Sequence, residues 1–505
     1  MDRAHSRVHV RFRRVSTATL TTQNESKITD DVTTNAMMKH GRGKGKSGCL
    51  VGKKVLERTV KLNCATVAVW FYQENGRERR NSNRDDDLCS IVAVGSYEHR
   101  GERKGEDEEE VQRGGKEERI GQVTLFRCSR GKIEEEEEKI SFDACGELDA
   151  TSSARCGGAF DLKFGNASRS EGGKVELAMA CANNCLEVFE MTFVDGDADV
   201  DEDEEDVVNR GKQLVRLKPT GRFECRFGGI GLCTSAAWSY RDKSIVATGD
   251  DGAAVVVDYE RAMMMASPGG GSGSGEGDNS QVLFRVENAH ADAIWASSFL
   301  DGSEDVFFTG GDDCKLIKHD LREMVRSNGD EEGDLSSAFA YPSQTSQNFR
   351  FEKNPAFGAG VTSIESKGDF LYVGSYDGAC RAFDVRKSLK EPMWISRGND
   401  DGKEEDGEKE GEEEASIWRV RLHPNFSSAA TKREGKIALA SMKAGCRVIS
   451  SLDGSTVGTY RNGHDDDKVV YGCDWAFFNE EEEEEEEEGF VSCSFYDRRI
   501  HVWTL

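Results

Sequence analysis

The clearest order in the chain is an apolar run that recurs with a polar turn at a fixed place inside it. Gly374-Ser375-Tyr376-Asp377-Gly378-Ala379-Cys380-Arg381-Ala382-Phe383-Asp384 aligns without a gap on Gly310-Gly311-Asp312-Asp313-Cys314-Lys315-Leu316-Ile317-Lys318-His319-Asp320. Each reads as the end of one strand, a tight turn and a second strand closed by an aspartate. The frame returns where Gly249-Asp250-Asp251-Gly252 runs into Val255-Val256-Val257-Asp258, and where Ser441-Met442-Lys443-Ala444 runs into Arg447-Val448-Ile449-Ser450. It returns again at Cys493-Ser494-Phe495-Tyr496-Asp497 before Ile500, at Cys181-Ala182-Asn183-Asn184 before Leu186, and at Val94-Gly95-Ser96-Tyr97-Glu98 before Val123. The turn position therefore holds Glu98, Asn183, Asp251, Asp313, Asp377, Lys443 and Asp497. Asp and Asn suit such turns because they tolerate left-handed backbone and bond it locally. Lys443 is the poorest fit.

Upstream of most turns lies another short apolar frame, at 159–164, 294–299, 417–422 and 470–475; the strand opening at Val361 ends on Ser366 instead. Seven units of strand, strand, tight turn and strand predict an all-β chain, a seven-bladed β-propeller of the WD-repeat kind with disordered acidic loop insertions. The repeats exceed the usual ~40–45 residues because charged segments interrupt them between strands. These insertions are expected at about 98–119, 129–155, 194–212, 262–280, 323–348, 397–415 and 478–488. The propeller is expected over 54–505, behind a disordered basic, Ser/Thr-rich arm at 1–53. The last strand, 500–505, leaves its blade one strand short, and the run 56–62 is placed to complete it and hide both sheet edges.

Composition adds limits rather than a new picture. The 505 residues are 36% hydrophobic and 32% charged with a formal net charge of −27, and the acid sits in runs at 134–138, 197–206, 403–414 and 480–488. Such runs are solvated loops that repel themselves, and an acidic chain lacks the basic face that nucleic acid requires. The 15 cysteines, an odd number, exclude a fully paired disulfide framework and lie mostly in strand-like runs. Cys181 and Cys185 have no second ligand pair nearby, so no metal and no cofactor is expected. No apolar run reaches the ~18 residues of a membrane helix.

Two groups of residues carry candidate chemistry. His290, Thr309 and Asp313 look catalytic, yet in a blade such a trio also forms a buried network that fixes the turn; Ser494 beside Asp497 is a second candidate, and His464 repeats the place of His290. The residues just before the turn positions include Tyr97, Asp250, Asp312, Tyr376 and Tyr496, and Trp295, Trp418 and Tyr471 stand at the starts of first strands. In a propeller these converge on one mouth of the channel, where aromatic faces and carboxylates can hold a cation or simply pack between blades. Tyr376, Tyr496, Trp295 and Trp418, with Asp312 and Asp250 adding charge, form the candidate cation rim.

One resemblance is specific. His290-Ala-Asp-Ala-Ile-Trp295, Gly374-Ser-Tyr-Asp377, Ile417-Trp-Arg-Val-Arg-Leu-His-Pro424, Tyr471-Gly-Cys-Asp-Trp475 and Cys493-Ser-Phe-Tyr-Asp497 with His501-Val-Trp503 resemble the diphthine methylesterases, WD-repeat enzymes of diphthamide biosynthesis. The likeness covers roughly 60–505 in order and is strongest from 285 onward. It implies a carboxylic ester hydrolase that removes the methyl ester from methylated diphthine, a modified histidine of translation elongation factor 2, working in the cytoplasm as a monomer with that factor as partner. It assigns no catalytic residue to particular positions here. Phe357-Gly-Ala-Gly-Val361 lacks the histidine that the family shows entering that blade, so an incomplete network is expected there. A non-catalytic WD-repeat scaffold gripping a protein partner through the same face is the competing reading.

Overall fold

The computed structural model describes residues 50–51, 53–60, 64–73, 88–100, 118–132, 138–149, 158–165, 175–194, 214–265, 282–326, 356–398, 416–424, 426, 435–460, 464, 469–477 and 488–504. Nearly all of the expected arm, and most of the insertions expected at 98–119, 194–212, 262–280, 323–348, 397–415 and 478–488, lie outside the described residues. The described residues form seven antiparallel blades.

Blade 1 pairs Cys64–Gln73, Leu88–Arg100, Glu118–Lys132 and Glu138–Asp149 in that order. Blade 2 is Ala159–Phe164, Val175–Cys181, Cys185–Val194 and Leu214–Glu224; blade 3 is Cys233–Trp238, Ser244–Gly249, Ala254–Asp258 and Val282–Val286. Blade 4 has three described strands, Ile294–Phe299, Val306–Gly311 and Leu316–Asp320. Blade 5 is Val361–Lys367, Phe370–Ser375, Ala379–Asp384 and Trp394–Arg397; blade 6 is Arg419–Leu422, Lys436–Ala440, Cys446–Ser450 and Thr456–Tyr460. Blade 7 joins Val470–Phe477, Gly489–Ser494 and Arg499–Thr504 to Lys53–Thr59, which supplies its outer strand.

That closure agrees with the sequence pattern, three residues earlier than the run at 56–62. Lys53 pairs with Thr504 and Thr59 with Arg499. Just upstream, Leu50–Val51 lies parallel to Gly458 and Thr459 of blade 6, so strand structure begins four residues before position 54. The insertion expected at 129–155 is also corrected: Glu118–Lys132 and Glu138–Asp149 extend through most of it as the outer hairpin of blade 1. Of the acidic run at 134–138, only Glu138 is among the described residues, where it opens the second of these strands.

The ring holds because each strand buries both faces. In blade 3, Ile245 and Ala247 pack toward blade 2 while Val246 packs toward blade 4. In blade 6, Ile437 and Leu439 face blade 5 while Ala438 and Ala440 face blade 7. Alternation that would normally separate core from solvent here separates two neighbours, which explains strands apolar on both faces. Seven apolar clusters result, one at each seam including blade 7 against blade 1, and the seven innermost strands touch in cyclic order. The glycine of the turn frame belongs to these seams. A Cβ on Gly310 would lie 2.3 Å from Val361, and one on Gly374 would lie 2.8 Å from Ile417, each on the first strand of the next blade.

The turn itself differs from expectation in one detail. Left-handed backbone falls one residue after the turn aspartate, at Gly252 (φ 79°), Cys314 (φ 61°), Gly378 (φ 76°) and Arg498 (φ 59°). The aspartate instead accepts backbone N–H groups: Asp313 from Lys315 at 3.2 Å, Asp377 from Ala379 at 3.1 Å and Asp497 from Arg499 at 2.9 Å. Among the described residues no helix is long and apolar enough to cross a membrane.

Candidate functional site

Antiparallel pairing puts the start of each first strand beside the end of the second. Ile294 lies opposite Gly311, Val361 opposite Ser375 and Val470 opposite Ser494. The residues before the turns and those opening the first strands therefore share one mouth of the channel.

Their rings form a continuous arc. Trp295 and Trp418 stand 5.8 Å apart between centroids, Trp418 and Tyr376 5.7 Å, and Trp418 and Tyr471 5.3 Å. Tyr471 continues to Phe495 at 5.6 Å and Tyr496 at 6.5 Å; Phe495 meets Tyr97 at 5.1 Å, and Tyr97 stacks on Phe160 at 4.9 Å. All four aromatic candidates belong to this arc. Trp418 lies deep, 8% exposed, whereas Tyr496 is 48% exposed at the outer end. Burial raises the phenol pKa of Tyr376 and Tyr471, so both rings stay neutral and keep their electron-rich faces.

The two carboxylate candidates part company. Asp250 is held by the loop entering blade 3, its oxygens accepting the N–H groups of Ile230 and Leu232 at 2.9 Å each. Asp312 joins the arc. A Cβ on Gly360 would meet Asp312 Oδ1 at 2.7 Å and Tyr376 Cδ2 at 3.2 Å, so the bare glycine lets both flank one point. Asp312 is open to solvent on one side. Crowding on the other raises its pKa, Asp292 and Asp313 push the same way, and the Trp295 indole pulls against them. The indole N–H of Trp418 is buried without a hydrogen-bond acceptor among the described residues, whereas that of Trp295 turns toward Asp312.

Beneath the arc an ion network crosses the channel. Arg419 meets Asp161 at 3.1 Å, Lys163 meets Glu365 at 2.7 Å, and Arg421 meets Glu365 at 2.5 Å and Asp474 at 3.7 Å. Three carboxylates thus face three cations from blades 2, 5, 6 and 7. Burial raises Glu365, but Lys163 and Arg421 outweigh it and hold the carboxyl below its usual range. Asp474, less well compensated, is pushed up to about 6 by burial. The Arg419 guanidinium lies 5.8 Å from the Trp418 ring, linking floor and mouth.

His290 and Asp313 belong to a buried tetrad. His290 Nδ1–H donates to Asp313 Oδ1 at 2.7 Å, its Nε2 accepts the Thr309 hydroxyl at 2.9 Å, and Thr309 accepts His319 Nε2–H at 2.8 Å. The His290 side chain is fully covered. Blade 7 repeats the arrangement: His464 donates to Asp497 at 2.9 Å and accepts Ser492 at 3.0 Å, which accepts Trp503 Nε1–H at 2.8 Å. Ser494 is fully buried. Both dyads fix turns and so orient the residues that precede them, Asp312 and Tyr496.

Blade 5 corrects the expectation of an incomplete network. Arg381, 1% exposed, forms two bonds to Asp377 at 2.5 and 2.9 Å while its guanidinium lies 4.9 Å from the Phe357 ring. An arginine held over phenylalanine replaces the missing histidine. Blade 3 does likewise, with Arg285 5.6 Å from Phe227 and 3.7 Å from Asp251. Phe160, Phe495 and the channel ions escaped the sequence reading. Their signal was charge at alternate positions of otherwise apolar first strands, as in Asp161 and Lys163 or Arg419 and Arg421. Cys181 and Cys185 are buried, and among the described residues no group of three metal-ligating side chains gathers.

No family model matches the chain. It is 29% identical over 226 residues to the Dictyostelium discoideum protein named diphthine methyltransferase homolog, covering 43% of this chain and 51% of that protein. It is 25% identical over 232 residues to the Saccharomyces cerevisiae diphthine methyltransferase, covering 42% of this chain and 49% of that protein. The chain thus spans about half the length of the curated relatives it matches. Among solved structures it is similar to Chaetomium thermophilum Sqt1 bound to the N-terminus of ribosomal protein L10, with 13% identity, a TM-score of 0.44, and coverage of 82% of this chain and 93% of that one.

Proposed function

We propose that the protein is a hydrolase of the diphthamide pathway that removes the methyl ester from methylated diphthine on translation elongation factor 2. The observation that carries this reading is the aromatic arc from Trp295 through Trp418 to Tyr496, with Asp312 at its edge. The substrate bears a fixed trimethylammonium group, and a desolvated aromatic face with a nearby carboxylate is what such a cation selects. Both relatives carry diphthine in their names, which supports the same substrate class. Trp418 and Tyr376 form the deep wall, and the exposed Tyr496 meets the arriving histidine loop first.

Those names also speak of methyl transfer, the opposite bookkeeping of the methyl group. The two chemistries separate cleanly: hydrolysis releases methanol and lowers the factor's mass by one methylene, with no methyl donor added. Methyl transfer consumes S-adenosylmethionine and raises the mass. A third reading, a grip without chemistry, draws on the structural employment of both candidate dyads, His290–Asp313 and Ser494–Asp497. Purified protein incubated with methylated-diphthine factor tests all three. Methanol release that falls sharply in Trp418→Ala is expected; a bound but unchanged factor would overturn the hydrolase reading.

A further inference from the structure

Asp312 stands apart from the other carboxylates at this mouth. Asp250 accepts two backbone N–H groups, Asp251 accepts Gly228 and Ala253, Asp313 is held by His290, Asp377 by Arg381, and Asp497 by His464. Among the described residues no cation pairs with the Asp312 carboxylate, and its side-chain hydrogen-bond partner is the Trp295 indole. Its backbone, by contrast, is fixed, the N–H donating to Ala293 at 2.9 Å. A carboxylate fixed by its backbone, bonded by one neutral indole, facing no cation and open to water is placed to take a proton. Beside it the Trp418 indole N–H lacks an acceptor, and its side chain is more than nine-tenths buried. Leaving such a donor unsatisfied is unfavourable, and a bound oxygen atom would satisfy it.

We propose that Asp312 is the general base of the ester hydrolysis and that the Trp418 indole N–H steadies the oxygen that becomes negative. This inference rests on the hydrolase reading above. Water, held by Asp312, attacks the ester carbonyl carbon as its proton passes to the carboxylate. The carbonyl oxygen becomes an oxyanion and accepts the Trp418 N–H. Collapse of the tetrahedral species breaks the bond to methoxide, which takes the proton back from Asp312 and leaves as methanol. The new carboxylic acid releases its own proton to solvent, so Asp312 ends as it began. The same negative charge sits beside the trimethylammonium group, and proton transfer to Asp312 is transient. Burial that lifts the Asp312 carboxyl above its ordinary value strengthens it as a base.

The experiment uses the full chain and single-turnover methanol release from methylated-diphthine elongation factor 2, with factor binding measured separately. Asp312→Asn removes the base while its amide oxygen can still accept the Trp295 indole, so the fold should hold, which melting curves check. It is expected to slow the single-turnover step at saturating factor about 100-fold or more, a loss beyond any weakening of factor binding, which is measured separately. Asp312→Glu should restore part of the rate. Trp418→Phe keeps a ring and deletes the N–H, and should slow the chemical step by about 10- to 100-fold. The wild-type rate should fall as acid protonates Asp312, and that limb should vanish in Asp312→Asn. Turnover of Asp312→Asn within about threefold of wild type would overturn the assignment while leaving the hydrolase reading intact. A wild-type protein that binds the factor and releases no methanol would instead overturn the hydrolase reading.

Discussion

Replacing Arg381 with methionine tests whether an arginine over phenylalanine truly does the work of the histidine network. The substitution keeps most of the apolar stem and deletes the charge. Asp377 then loses both guanidinium bonds, at 2.5 and 2.9 Å, while keeping the N–H groups of Gly358 at 2.9 Å and Ala379 at 3.1 Å. Breaking a buried pair costs about 3–5 kcal/mol. The two surviving amide bonds favour the low end, about 3 kcal/mol, which corresponds to roughly 100-fold in the local opening equilibrium. Hydrogen exchange followed by mass spectrometry over residues 356–381 should register that acceleration, with blades 2 and 3 unchanged. Adding Asp377→Asn should recover at least about 1 kcal/mol, since no uncompensated charge then remains buried. Exchange accelerated less than about fivefold, or a double variant worse than the single, would refute the reasoning. Because Tyr376 precedes Asp377, a loosened turn should also weaken the candidate site.

Tyr376→Ala and Trp418→Ala should each raise KM for the methylated factor about 2- to 30-fold, from cation–π contacts of about 0.5–2 kcal/mol; unchanged steady-state kinetics in both would contradict that role. His290→Ala orphans Asp313 and Thr309 and should cost about 1–3 kcal/mol in urea unfolding, with kcat lowered less than in Asp312→Asn because the tetrad acts only through the turn that holds Asp312. His319 is buried and its pKa drops from 6.5 to about 3, so it stays neutral in the fold while the unfolded chain takes up a proton below 6.5. Its depressed value makes stability complete above pH 6.5 and steadily lost as pH falls toward 3. The acid-side slope of stability should flatten in His319→Phe, and an unaltered slope would remove His319 from the account.

The architecture was legible because a propeller repeats one local rule. A glycine before the turn, an aspartate within it, or strands apolar on both faces mark each blade in some combination, so seven hairpins could be counted and the closing strand foreseen within three residues. The tetrads were legible through His290 and His464 for the same reason. What sequence could not give was substitution between unlike residues. Nothing along the chain ties Phe357 to Arg381, because the bond to Asp377 and the contact with the ring exist only after the blade closes. The channel ions are also a product of the ring, joining Lys163 to Glu365 across 202 positions of sequence. Asp250 and Asp312 occupy one position in the frame yet meet different loops, and the two N–H groups that capture Asp250 could not be read from the turn.

The central claim is that the channel mouth grips a fixed positive charge through aromatic faces. The most direct measurement compares two peptides by calorimetry, one bearing the trimethylammonium group and one carrying a neutral tert-butyl group of the same shape. The cationic peptide should bind about tenfold tighter or more, an advantage of about 1.4 kcal/mol, and Trp418→Ala should abolish the difference. Equal affinity for the two peptides would contradict the claim, since shape alone would then account for binding.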